Sequence, residues 1–297
     1  MKLQRNRIYE LVLGNTKTGE GVLISELQVR FDVTKSSDNK RKANGAVIEV
    51  FNLSDATLKK FEKEYLRVEL RVGYSDVGLT TILIGNATET KTVTNGSDRV
   101  TQIQVGEAYV QLNEEIIRGV APAGTKLKDF LNEVVGKMPG VSKGAFTGVN
   151  LESELTYGYP YSGTPREVLT DLAETYRLEW RVDRDVLSVT DEAGLADPDK
   201  KKAFVLNENT GLIDIPFYTS GKQSMLKKDP KRRQGVQFKC LLNPKIIPGS
   251  IVRLESKLIT GWYKVKTARY FGGYDDNEFY ADCFCDIITE EDLTNAR

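Results

Sequence analysis

Alternation of apolar and polar side chains is the strongest signal along the chain. Leu23, Leu27, Val29, Phe31 and Val33 fall on one side of a period-two pattern and Glu26, Gln28, Arg30 and Asp32 on the other, predicting one long half-buried strand. Residues 35–44, rich in Ser, Asp, Asn and Lys, interrupt it and read as an exposed loop on a barrel rim. A strand over 46–51 follows, then Ser54 as the N-cap of a short helix carrying Leu58 and Phe61 at helical spacing. Val68, Leu70 and Val72 alternate with Arg67, Glu69 and Arg71 in the next strand, and further strands are expected over 80–89, 100–105 and 108–112. Residues 1–118 thus read as a β-barrel or sandwich with a single helix.

The texture changes at Gly119-Val120-Ala121-Pro122-Ala123-Gly124, a small-residue hinge ahead of a helix whose apolar positions are Leu127, Phe130, Leu131, Val134 and Val135. A second helix opens at Thr164-Pro165-Arg166-Glu167, where Thr is the N-cap, Pro the first helical residue and Glu closes a capping box. Val168, Leu169, Leu172 and Tyr176 form its buried stripe, and strands over 178–182 and 186–190 make a hairpin against it. The helix starts Gly124-Thr125 and Gly163-Thr164 hint at an internal duplication. Residues 119–200 are therefore expected to form an α+β domain.

Beyond a charged linker at 197–202, period-two strands return over 236–240, 250–258, 261–271 and 278–288. In the last, Phe279, Ala281, Cys283, Cys285 and Ile287 share one face, and Glu278, Asp282 and Asp286 the other. The expected class is mainly β, α+β overall: a β domain over 1–118, a small α+β domain over 119–200 and a second β domain over 201–297.

Composition narrows the chemistry. The chain of 297 residues carries 42 Lys and Arg against 42 Asp and Glu, so no net field draws it to nucleic acid or an anionic membrane, and proteins are its expected partners. Histidine is absent, which removes Ser-His-Asp and Cys-His nucleophiles and the usual catalytic zinc site. Carboxylate-only glycosidase chemistry survives that exclusion. Cys240, Cys283 and Cys285 read as buried free thiols. No apolar run approaches the roughly 18 residues that span a bilayer, and Met1 to Arg7 lack a secretory hydrophobic stretch. The expectation is a cytosolic chain without membrane insertion.

A family likeness rests on dispersed motifs. Val47-Ile48-Glu49-Val50-Phe51-Asn52-Leu53-Ser54, after a loop with Lys40-Arg41-Lys42-Ala43-Asn44, resembles the N-terminal part of contractile-tail phage baseplate hub proteins, relatives of tail-tube barrels. Gly73-Tyr74, Ile84-Gly85, and Leu241-Leu242-Asn243-Pro244-Lys245-Ile246-Ile247-Pro248-Gly249-Ser250 before Trp262-Tyr263 are similar to the same family. The resemblance implies a non-enzymatic virion protein: a homotrimeric ring of two tube-like β-barrels per chain joined by a smaller domain, assembled in the host cytoplasm. Such a ring joins the sixfold tail tube protein to the central spike protein, and its lumen takes the tape-measure protein and later passing DNA. No cofactor is implied.

Local candidates are few. Lys222, Lys227, Lys228, Lys231, Arg232 and Arg233 could line a lumen or dock on an acidic neighbour, against the plainer reading of a solvated loop. Glu152 and Glu154 near Tyr157, Tyr159 and Tyr161 superficially resemble a sugar cleft, so a glycan-binding tail module and a glycosidase stay as alternatives, although packing explains such tyrosines more simply. Asp183, Asp185 and Asp191 lack the spacing of a calcium loop and read as a polar turn. Gly14-Asn15-Thr16-Lys17-Thr18-Gly19 lacks phosphate-loop spacing and reads as a hairpin turn.

Overall fold

The computed structural model describes residues 6–14, 20–40, 44–61, 66–192, 203–219 and 235–288. The first stretch contains β1 (Arg7–Gly14), β2 (Gly21–Ile24), β3 (Val29–Ser36), β4 (Gly45–Phe51), α1 (Asp55–Phe61), β5 (Arg67–Tyr74), β6 (Gly78–Asn95) and β7 (Asp98–Gly106). A middle stretch holds α2 (Tyr109–Asn113), β8 (Ile117–Ala121), α3 (Leu127–Gly136), β9 (Ser142–Thr147), a 3-10 turn (Val149–Glu152), β10 (Tyr159–Gly163), α4 (Pro165–Tyr176), β11 (Leu178–Asp183) and β12 (Val186–Asp191). The last contains β13 (Ala203–Leu206), β14 (Phe217–Thr219), β15 (Gly235–Leu241), β16 (Ile251–Glu255), β17 (Thr260–Gly273) and β18 (Phe279–Ile287).

Strands of the first and last stretches form one sheet, in the order β14-β15-β18-β17-β3-β4-β7-β6-β5-β1-β2, with β16 beside β17 and β13 beside β16. The join is β17. Its first half pairs with β16, and after a bulge between Val265 and Thr267 its second half pairs antiparallel with β3, from Thr267 opposite Ser36 to Gly273 opposite Arg30. One hydrophobic core spans the join, drawing Leu11, Phe31, Ile48 and Leu70 from one side and Phe238, Tyr270, Phe279 and Cys283 from the other. Each buried Leu or Phe removes enough apolar surface from water to contribute about 1.5–3 kcal/mol. Cys240, Cys283 and Cys285 lie in this core as free thiols, and burial pushes all three upward, Cys240 to about 12. They are poor nucleophiles there.

The middle stretch has its own core, running from Ala108 to Val189 and centred on Phe130, Leu131, Leu172, Trp180 and Val182. Helices α3 and α4 pack with the sheet β11-β12-β9, in which β9 is parallel to β12. The expected capping box of α4 is present: the Glu167 backbone N–H donates to Thr164 Oγ1, and the Thr164 N–H donates to Glu167 Oε2 at 2.8 Å. The matching start at Thr125 is not equivalent, because the N-cap of α3 is Lys126 with no side-chain cap bond.

Several expectations are corrected. The single strand over 23–33 is two strands with different partners, β2 on β1 and β3 between β4 and β17. The chain is turned between them because the Leu27 carbonyl accepts from the Tyr9 hydroxyl and the Gln28 carbonyl from the Phe51 N–H at 3.0 Å. Residues 108–112 form α2 instead of a strand, since Ala108 enters the left-handed region at φ 46° and ends the extended run. Gly119 and Ala121 are not a hinge but part of β8, paired with β10; a Cβ on Gly119 would stand 2.5 Å from the Tyr161 hydroxyl, so only glycine fits beneath that ring. Strand β6 runs past Glu89 to Asn95 in a fully exposed arm. Residues 15–19, within the expected hairpin turn, lie outside the described residues; β1 and β2 on either side pair antiparallel, with Gly14 opposite Gly21.

Replacing Thr164 by Ala removes one half of the capping box. The expected result is a loss of about 1 kcal/mol, measured as a lower urea midpoint with unchanged slope.

Candidate functional site: a buried polar joint

In β3 the inward positions are Val29, Phe31, Val33 and then Lys35, which is only 2% exposed. Its ammonium is 2.9 Å from Glu107 Oε1, at the end of β7, and also contacts Asp183 Oδ1, at the end of β11. A lysine thus stands where alternation calls for an apolar side chain, and it reaches from the large sheet into the middle unit. The loop after it is buried too: Ser37, Asn39 and Asn44 are at most 4% exposed. This overturns the reading of 35–44 as an exposed rim loop, at all but residues 41–43, which lie outside the described residues.

Asparagines finish the joint. Asn44 Nδ2 donates to Glu107 Oε2 at 2.9 Å and to the Val182 carbonyl at 2.7 Å, while Asn44 Oδ1 accepts from the Ser36 N–H. Asn39 Oδ1 accepts from the Val182 N–H at 2.8 Å, and the Asn39 N–H donates to the Trp180 carbonyl at 2.7 Å. The loop therefore occupies the free edge of β11 as an added strand would, satisfying groups that would otherwise be buried without partners.

A second set of charges lies along the same face of β11, where Glu179, Arg181 and Asp183 alternate with the core residues Leu178, Trp180 and Val182. Glu179 receives Lys266 from β17 and the Ser37 hydroxyl. The hairpin tip is a two-residue turn with Arg184 at φ 50° and Asp185 at φ 60°, the left-handed pair of a type I′ turn. Arg184 holds Asp183 at 2.9 Å and donates to the Thr81 carbonyl of β6 at 3.3 Å, and Asp185 binds Arg67 of β5. Beside this tip, β6, β9, β12, β13 and the 244–251 loop line a half-open pocket of about 870 Å³ faced by Arg181, Arg184, Thr81, Ile84, Phe204 and Ile247.

Titration follows burial. Burial raises the Glu107 carboxyl despite the neighbouring Lys35. Burial also acts to raise Asp183, but Lys35 and Arg184 together overcome it and hold that carboxyl below its usual range. Lys264, 4% exposed on β17, is pulled down to about 8 because burial disfavours its ammonium more than Glu179 and Asp286 favour it.

The other candidates have structural partners. Glu152 pairs with Lys128 at 3.4 Å and Lys126 at 3.7 Å, while Tyr159 and Tyr161 pack on Phe130 with ring centroids 5.5 and 5.2 Å apart. Tyr161 donates to Glu133 at 2.7 Å, Glu154 bridges by backbone to Lys126, and Tyr157 is exposed. The carboxylates and tyrosines do not converge on a cleft. Asp191 accepts from the backbone N–H groups of Val149 and Asn150, capping the 3-10 turn. Lys222, Lys227, Lys228, Lys231, Arg232 and Arg233 lie outside the described residues.

Two measurements test the joint. Lys35→Met leaves Glu107 and Asp183 buried without their shared cation and is expected to cost about 3–5 kcal/mol in chemical denaturation, with Glu107→Gln in the same chain restoring part of the loss. For Lys264, a folded value near 8 lies below its unfolded value. Between those values the unfolded chain binds the proton and the folded one does not, so stability rises with pH. Melting from pH 8 to 10 should show a gain of about 2 kcal/mol that Lys264→Met abolishes.

Comparison with curated proteins finds no match. Among solved structures, the 43 kDa tail protein of prophage MuSo2 from Shewanella oneidensis aligns over 96% of this chain and 98% of its own at 11% identity, TM-score 0.65. The tail protein from Neisseria meningitidis MC58 aligns over 95% and 96% at 9% identity, TM-score 0.66. The Escherichia coli c3393 protein, a type VI secretion component described as similar to the T4 tail proteins gp27 and gp5, aligns over 89% of this chain and 74% of its own at 9% identity, TM-score 0.64. These likenesses establish a shared fold. Residues 12–285 match the family described as baseplate hub gp41, and the chain belongs to that family.

Proposed function

We propose that this chain is a structural subunit of a phage tail baseplate hub, working by assembly and not by catalysis. Three copies form a ring in which each contributes two tube-like β units, the strands up to β7 and those from β13 onward, with the middle α+β unit set between them. One face of the ring meets the sixfold tail tube protein and the other the central spike protein. The lumen accommodates the tape-measure protein and later the passing DNA, and assembly takes place in the host cytoplasm. The basic residues from Lys222 to Arg233 are the candidates for contacting what passes through.

The observation that carries this reading is the fusion of two β units into one sheet through β17 and β3, in a chain whose family is that of baseplate hubs. A joint locked by buried ion pairs suits a part that transmits load without changing shape, because breaking one pair strands a buried charge. Neither calls for substrate, cofactor or bilayer.

Light scattering of the purified chain should give a trimer, alone or on addition of the spike protein, and the trimer should co-sediment with tube protein. A monomer at micromolar concentration in both conditions would overturn the hub reading.

A further inference from the structure

The two β units repeat one another over a core of four strands. The order β4-β7-β6-β5 has the same antiparallel pairings as β15-β18-β17-β16. Each long strand carries a bulge at the same place: β6 between Ala87 and Glu89, directly after Asn86 leaves its partner Arg67 on β5, and β17 between Val265 and Thr267, directly after Lys264 leaves Ile251 on β16. Past the bulge, 89–95 is the counterpart of 267–273.

The counterparts differ in one respect. Residues 267–273 pair along their outer edge with β3 of the same chain. The outer edge of 89–95 pairs with no described strand, and every residue of 88–95 is exposed. The counterpart of β3 is β14, since β3 lies on β4 as β14 lies on β15, and β14 is the end of the sheet with its second edge unpaired among the described strands. Each chain thus has half of a joint at each end.

The repeat also sets the register. Glu89 stands opposite Gln104 as Thr267 stands opposite Phe284; Val47 faces Gln104 as Gln237 faces Phe284; and Asp32 faces Val47 as Phe217 faces Gln237. Within the chain Asp32 pairs with Phe271, whose counterpart on β6 is Val93. We infer that a second copy of this chain docks its β14 antiparallel on the outer edge of the β6 arm, with Phe217 opposite Val93, Tyr218 opposite Thr92 and Thr219 opposite Lys91.

An independent property of the surface agrees with that register. Val93 and Phe217 are 43% and 54% exposed, and the pairing puts them on one face, directly opposite. A one-residue slip would turn one of them to the other face. The contact is head to tail, so it continues from copy to copy instead of stopping at a pair, and a threefold rotation between copies closes it into a ring. In a ring of three copies it would alternate with the intramolecular β17–β3 joint.

The inference rests on the hub reading, and cysteine cross-linking separates the two. Both positions are exposed, and the native thiols are buried and of raised pKa, so new cysteines report alone. Under mild oxidation a mixture of Val93→Cys and Phe217→Cys chains should give covalent dimers joining one of each, either variant alone none, and the double variant covalent rings that run as trimers on denaturing gels. Val93→Cys mixed with Tyr218→Cys should stay unlinked. A trimer by light scattering that lacks the 93–217 link, or links through 218 instead, overturns this joint and leaves the hub intact. A monomer throughout overturns both.

Discussion

Lys35 sits between Glu107 and Asp183 in a place without access to water, and the relation of the middle unit to the large sheet depends on that placement. Apolar packing alone would let two cores slide, because it is non-directional. A buried ammonium shared by two carboxylates, each further bonded to Asn44 or Arg184, has one satisfied geometry. The same hairpin then recruits Lys266 through Glu179 and Arg67 through Asp185, so β3, β5 and β17 are ion-paired to β11–β12 and β7 is tied to it through Lys35.

This arrangement explains why β17 is long. Its first half completes a sheet with β16, and the bulge after Val265 re-aims the strand so that the second half reaches β3. Lys266 is the bulged residue and Lys264 lies just before the bulge; both interact with Glu179 of β11, which places the hydrogen-bonded join of the two β units directly under the polar joint. Sheet continuity and ion pairing thereby stiffen the same few residues from two directions.

Much of the fold was legible because one face of most strands is buried: β3, β5, β15 and β18 follow their alternation, and Thr164 with Glu167 announced α4. What failed has a physical pattern. Residues 35–40 looked solvated because composition cannot distinguish a polar side chain in water from one satisfied inside a protein, and the partners of Asn39 and Asn44 are about 140 residues away. The arm of β6 beyond Glu89 is exposed on both faces and so carries no alternation. The β17–β3 join links residues more than 200 positions apart, for which no local signal exists. The internal duplication was sought in the middle unit, whereas it lies in the β units, where it is a repeat of pairings and bulges and not of residues.

The composition of the β6 arm has a consequence for the free chain. A long strand with an open edge is a template for fibril growth. This one reads Thr88-Glu89-Thr90-Lys91-Thr92-Val93-Thr94-Asn95, with a single large apolar side chain. Identical arms stacked in parallel register would bring Glu89 against Glu89 and Lys91 against Lys91, which charge repulsion opposes. Parallel in-register stacking of identical arms is thereby disfavoured, while the backbone groups of the edge stay available for a strand of different sequence.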